Sequence, residues 1–292
     1  MTAYIGSGPY CYSNALAMML AGAPPVGVIE TLTGAPFGAQ IESGIPFFDP
    51  IGWHPEIGID TAVELLGWSC VRTDGGSEEE ALERLRGAVA RGPVLAGPLE
   101  LGLLTYRPDS GIALGADHYV VVLAVDGDTV VLHDPQGHPH ASLPTKAFLE
   151  SWRGEQVTYI DTPFVLRAGF VRHRSVSAVE ALESALPRAI RWLDGASAAI
   201  EQLAAMVEEG LDPEIRHLLG IFGIRLGARR LLDASVSLKM LGRTASADIA
   251  AHQSRLVGAL QYPLVMGDDT ALAAILRRLS PTYAQLRDAL AG

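Results

Sequence analysis

Only two of the 292 residues are cysteine, Cys11 and Cys70, too few for a disulfide framework or a cysteine-built zinc cluster. No basic, apolar, small-residue run opens the chain as an export signal would, so both are read as reduced thiols, each with its own reason to exist. Basic residues are also scarce: 22 Lys and Arg stand against 33 Asp and Glu, a formal net charge of −11. A polyanion would be repelled at long range, which argues against nucleic acid as a partner. Long apolar runs are missing as well. The stretch from Tyr119 to Val125 falls far short of the roughly 20 residues that span a bilayer, so no membrane association is expected and the reading is a cytoplasmic protein. There is no internal repeat and no low-complexity tract.

With 49% hydrophobic residues, the chain can bury one large core or two smaller ones. Good helix formers from Cys11 onward, stopped by Gly22 and the Pro24-Pro25 pair, predict a short buried helix whose first turn carries a thiol. Further helices are expected over Gly27 to Leu32 and Ile59 to Leu66, the latter with Asp60 as cap and Gly67 as stop. The Gly, Pro and aromatic-rich stretch between them reads as an ordered loop. "SEEEALERLRGAVARG" is an amphipathic helix with acids first and Arg last, matching the macrodipole. Strand-like segments follow at 93–97, 118–127 and 128–135, the last two joined by a hairpin turn at Asp126-Gly127-Asp128.

From Ser177 onward strand signals vanish and helical periodicity persists, with breaks near Gly210, Gly242 and Pro263 that suggest about four helices. The expected organisation is an α+β domain over 1–175 and an all-α domain over 176–292. The acidity is uneven. After residue 175 there are 12 basic and 13 acidic residues, leaving 10 against 20 before it.

A thiol at a helix N-terminus has its anionic form favoured by unsatisfied N–H groups, which can also hold an oxyanion. Its chemistry requires a His as base and a third group to orient that His. In "GADHYVVVLAVDGDTVVLHDPQG", His118 opens one strand and Asp134 closes the next, so folding the hairpin brings them together across it. His133 points to the opposite face of its strand from Asp134. His138 and His140 have no acid or Cys spaced to complete a metal site and are read as loop residues. Cys70, with neither His nor acid patterned around it, is read as core. No cofactor or metal is expected.

The Cys at a helix start, the strand-opening His and the Asp-Pro at the end of the next strand resemble papain-like enzymes of the double-glycine peptidase type. The segments "YCYSNALAMML", "IETLTGAPFG", "GPVLAGPLELGLLTY" and "DHYVVVLAVDG...VVLHDPQG", over roughly residues 4–172, resemble more closely the N-terminal domain of the butirosin biosynthesis protein H family. That resemblance implies a papain-like fold, with Cys11 as nucleophile, His118 as base and acid, and Asp134 as orienting residue. Papain-like enzymes usually place a Gln about six residues before the Cys, and this chain has Ile5 there. The oxyanion would then be met by the Cys11 N–H with Ser7, Tyr4 or Tyr10. In such a fold Glu100 runs near the cleft as a substrate contact, and the loop with Phe48 and Trp53 walls an acyl pocket.

The implied activity is acyl transfer through a thioester on Cys11, in bacterial secondary metabolism, from a small-molecule or carrier-protein-bound acyl donor. The alternatives are a peptidase or amidase using the same triad, and a catalytically silent partner-binding module. Arg225, Arg229, Arg230, Lys239 and Arg243 are read either as the solvated side of a packed helix or as a basic face that docks an acidic acyl carrier protein. The helical domain is also the expected place for a homo-oligomer contact.

Overall fold

The computed structural model describes residues 2–6, 9–108 and 110–292. The chain opens with α1 (Cys11–Met19) and α2 (Val26–Thr33), then a short hairpin of β1 (Gln40–Glu42) and β2 (Ile45–Phe47), and α3 (Pro55–Leu65). Next come β3 (Trp68–Thr73), α4 (Glu78–Val89), β4 (Val94–Glu100), β5 (Asp117–Asp126), β6 (Thr129–Asp134), β7 (His138–Pro144), α5 (Thr145–Trp152) and β8 (Leu166–Arg172). The remainder is helical: α6 (Ala178–Trp192), α7 (Ala196–Gly210), α8 (Pro213–Leu218), α9 (Ile224–Met240), α10 (Thr244–Ala259), α11 (Gln261–Met266) and α12 (Asp269–Ala291). The protein is thus a mixed helix and antiparallel-sheet chain with a C-terminal helical region. None of its described helices is long and apolar enough to cross a membrane.

Two compact units form, 1–26 with 67–175, and 27–66 with 176–292. One boundary between the units falls between Ser175 and Val176. The segment 27–66 differs from expectation, because it packs into the helical unit. One tie is Arg230 of α9, buried at 2% exposure, which pairs with Glu30 at 2.8 Å and Asp49 at 3.0 Å and donates to the Phe48 carbonyl. Phe48 also lies against Gly227, where a Cβ would stand 2.7 Å from its side chain. These long-range contacts have no local sequence signature. Other local expectations also shift. His54 is the N-cap of α3 and Pro55 occupies its first turn, as suits a residue with no N–H to satisfy, so Asp60 lies inside the helix. Seven helices, rather than about four, follow residue 176.

In the first unit, six strands form one antiparallel sheet in the order β3-β8-β4-β5-β6-β7. β4 is buried along its whole length and β5 over His118–Val122, which explains their nearly continuous apolar sequence. Ala81, Leu85 and Ala88 of α4 and Phe148 and Trp152 of α5 form one core with Val94, Ala96, Val120, Val122 and Leu132 of the sheet. α1 is buried from Cys11 to Met18 and packs on β4, β5 and β6. α4 begins with a capping box between Ser77 and Glu80, the expected use of its acidic first turn.

Candidate functional site

The hairpin of β5 and β6 brings two of the three triad candidates together. Val121 pairs with His133, so Asp134 comes one pair further on and His118 lies on its diagonal on the same face. The His118 Nε2 is 2.7 Å from Asp134 Oδ1, and both side chains are fully buried. An ionised carboxylate only accepts, so Nε2 carries a proton, and in the neutral imidazole Nδ1 then holds the lone pair. Nδ1 is buried and has no hydrogen-bond partner among the described residues. On the other side of His118, β4 bulges between Ala96 and Leu99. A Cβ at Gly97 would meet the His118 carbonyl oxygen at 2.8 Å, so this close approach needs glycine.

Asp134 is held by more than the imidazole. Its Oδ1 also accepts the Gln136 N–H at 2.8 Å, an Asx turn built by the Asp-Pro-Gln sequence. Its Oδ2 accepts the Tyr106 hydroxyl at 3.0 Å and lies 3.8 Å from Arg107. Arg107 donates to the Gln136 side chain. Burial alone would push the Asp134 carboxyl up; the hydrogen bond and charge of His118, with the Gln136 N–H and the Tyr106 hydroxyl, outweigh burial and hold it down to about 2. Burial first, then the Asp134 charge, pushes the Tyr106 phenol far above its ordinary range. Tyr106 is therefore a donor at any working pH.

Cys11 is the first residue of α1, nine-tenths buried, and Tyr10 precedes it as an N-cap that provides no side-chain cap. α1 packs on the strand that His118 opens, and the rings of Tyr12 and Tyr119, the next residues along each element, meet edge to face at 6.1 Å. No hydrogen bond joins the thiol to Nδ1.

The remaining candidates divide sharply. Ser7 lies outside the described residues. The Tyr4 hydroxyl is occupied, donating to the Asp134 carbonyl and accepting the Gly137 N–H, both at 2.9 Å, so it clamps the turn after Asp134 and is not an oxyanion donor. Tyr10 is buried at 1% and its carbonyl accepts from the Asn14 backbone and side chain. Glu100 is a correction. Its carboxylate is buried and accepts the N–H groups of Gly102 at 3.1 Å, Leu114 at 2.8 Å and Gly115 at 2.9 Å. It braces the loop between β4 and β5, with three of a carboxylate's roughly four acceptor sites filled by backbone donors. Phe48 and Trp53 belong to the helical unit. Phe48 sits in its core, and Trp53 donates to the Thr33 carbonyl beneath the Arg230 guanidinium.

The basic face loses members too. Arg230 is buried with its two acids, and Arg229 pairs with Asp233 one turn on at 2.8 Å. Arg225, Lys239 and Arg243 remain on or beside α9, with Arg225 bonded to the Ile221 carbonyl. His138 and His140 stand in β7, not in a loop. The His140 N–H donates to His133 Nδ1, and no group of three metal-ligating side chains occurs among the described residues. Tyr106, Arg107 and the Tyr159–Asp117 bond of 2.7 Å beside His118 escaped sequence reasoning. Only Gln136 left a local signal, the Asp-Pro turn.

Comparison with known proteins reaches the helical region first. A family model described as the YobF C-terminal domain matches residues 192–291. Over 165 residues the chain is 33% identical to a Bacillus subtilis (strain 168) protein described as uncharacterized protein YobF. That match covers 54% of this chain and 53% of the relative, so the chain spans about half the length of the curated relative it matches.

Proposed function

We propose that the sheet unit is a papain-like, cysteine-dependent acyl-transfer enzyme, with Cys11 as nucleophile, His118 as base and acid, and Asp134 as the residue that orients the imidazole. The observation that carries this reading is the His118–Asp134 pair: Nε2–H is fixed on a carboxylate while a buried Nδ1 keeps its lone pair beside the element that carries the thiol. A structural histidine would be expected to use both nitrogens.

In the proposed reaction Nδ1 takes the Cys11 proton and the thiolate attacks the carbonyl of a thioester or amide. The imidazolium, stabilised by Asp134, returns the proton to the departing thiol or amine, leaving a thioester on Cys11. An incoming amine or water then gives a proton to Nδ1 as it attacks, and the released Cys11 thiolate recovers it. The N–H groups at the start of α1 would meet the charge that develops on the carbonyl oxygen, the role the absent Gln would otherwise share. Cytoplasmic location, a place in secondary metabolism and acyl delivery by a carrier protein belong to the same proposal. With Arg230 buried and Arg229 paired with Asp233, Arg225, Lys239 and Arg243 would carry most of the attraction for a carrier.

The test is turnover of a panel of acyl thioesters, with and without amine acceptors, by the protein and its Cys11→Ala and His118→Ala variants. The reading predicts thiol release that both substitutions abolish. Release that persists in both would contradict it.

A further inference from the structure

The loop between β4 and β5 is fixed at its base and touches the site at its tip. Glu100 holds three of its N–H groups, the Leu101 N–H bonds the Ala116 carbonyl at 2.8 Å, and the Gly111 N–H bonds the Gly102 carbonyl at 2.7 Å. Ser151 of α5 donates to the Glu100 carbonyl, tying the base of the loop to the core. A buried carboxylate with three N–H donors is a strong local restraint, because hydrogen bonds to charged groups are roughly twice as strong as neutral ones. From this braced loop Tyr106 reaches Asp134 Oδ2, and its ring packs edge to face on His138 at 5.5 Å.

Both other donors to the carboxylate, His118 Nε2 and the Gln136 N–H, converge on Oδ1. Two donors on one oxygen leave the carboxylate plane free to turn about its last torsion, since that torsion is broad. A third donor on the second oxygen removes this freedom. We infer that Tyr106 is a positioning residue for the His118–Asp134 pair, and that the Glu100-braced loop exists to hold its hydroxyl on Asp134 Oδ2. Tyr106 touches neither thiol nor imidazole and acts only through Asp134. Without its hydroxyl, Oδ2 would keep only the Arg107 guanidinium at 3.8 Å, beyond hydrogen-bond reach, the carboxylate would hold its charge less well, and Oδ1 would spend less time on Nε2. The imidazole would then sample the tautomer with the proton on Nδ1, where it cannot accept from Cys11.

This inference rests on the proposed chemistry only for its kinetic arm, so the test has two. Tyr106→Phe keeps the ring and its packing on His138 and removes one hydroxyl. In ¹⁵N NMR of the full chain, with His118 assigned from a His118→Gln spectrum, the inference predicts a single Nε2–H tautomer in the parent. Tyr106→Phe is expected to give a mixture, and carbon-detected titration to move the Asp134 carboxyl upward from about 2. With a short-chain acyl thioester as probe, kcat is expected to fall about tenfold with KM unchanged. Glu100→Gln, which leaves the hydroxyl in place but loosens its loop, is expected to give the same mixture to a smaller degree. If the parent turns nothing over but the tautomer still shifts, the positioning stands and the acyl-transfer reading fails. An unshifted tautomer and carboxyl in Tyr106→Phe overturn the inference, whatever the kinetics.

Discussion

Replacing Arg230 by Met tests how the segment 27–66 is held in the helical unit. The guanidinium bonds Glu30 at 2.8 Å and Asp49 at 3.0 Å, and its carbon lies 5.4 Å from the centre of the Trp53 ring. Asp49 also accepts the Gln40 side-chain amide at 2.8 Å. Met fills a similar volume without charge, so packing changes little and two buried carboxylates lose their cation. Breaking a buried ion pair by removing one partner typically costs about 3–5 kcal/mol, much of it the burden of the charge left behind. Removing all three charges together, with Glu30→Gln and Asp49→Asn added, is expected to recover most of that loss, because desolvation disappears along with the attraction. Equilibrium urea unfolding, followed by tryptophan fluorescence that includes Trp53, measures both. The penalty in the single variant is also expected to shrink on acidification, because a carboxylate buried without a cation takes up a proton more readily when folded than when unfolded, and the folded state then gains as pH falls. A loss below about 1 kcal/mol, the range of an exposed ion pair, would refute the reasoning and return Arg230 to the surface.

Two further predictions concern the site. Asp134→Asn removes the carboxylate charge that stabilises the imidazolium and lets an amide N–H compete for the imidazole, so it is expected to lower kcat by up to the order of 10⁴-fold with the fold intact; turnover within tenfold of the parent would remove the Asp134 charge from the mechanism. The same carboxyl, held from 3.8 down to about 2, contributes about 2 kcal/mol of stability that is fully present above its ordinary value and lost as pH falls through about 2. Acid unfolding of the parent should therefore show a component that Asp134→Asn lacks, and identical acid profiles would count against the network. Cys11, although more buried than Cys70, is expected to react faster with iodoacetamide below neutral pH, as a thiol at a helix start should. His118→Ala should reduce that preference; equal rates at both cysteines would contradict it.

How much of this was legible in the sequence depended on the distance over which each contact acts. The helix starting at Cys11 and the 118–134 hairpin are local, set by helix formers before Gly22 and by an Asp-Gly-Asp turn between apolar runs, and both formed as read. The pairing of His118 with Asp134 followed from strand ends alone, with the diagonal offset of β5 and β6 as the only refinement. β7 was missed because "HPHASLP" lacks apolar alternation, and it pairs as the edge strand beside β6. Glu100 was misread because its three N–H partners lie in a loop that sequence alone cannot fold. The path of 27–66 into the helical unit involves Arg230, some 200 positions away from Glu30 in the chain, and at the sequence level that residue looked like one more surface base. Tyr106 left no signal, since only the folded loop brings it to Asp134.

The central claim is that Cys11 carries an acyl group during turnover. Intact-mass spectrometry of the protein, quenched after brief exposure to each of several short-chain acyl thioesters without an amine acceptor, reads this directly. The account predicts a mass gain equal to the acyl group, located on Cys11 by peptide mapping, absent from Cys11→Ser and discharged when an amine is added. No gain with any thioester, or a gain that survives in Cys11→Ser, would contradict it.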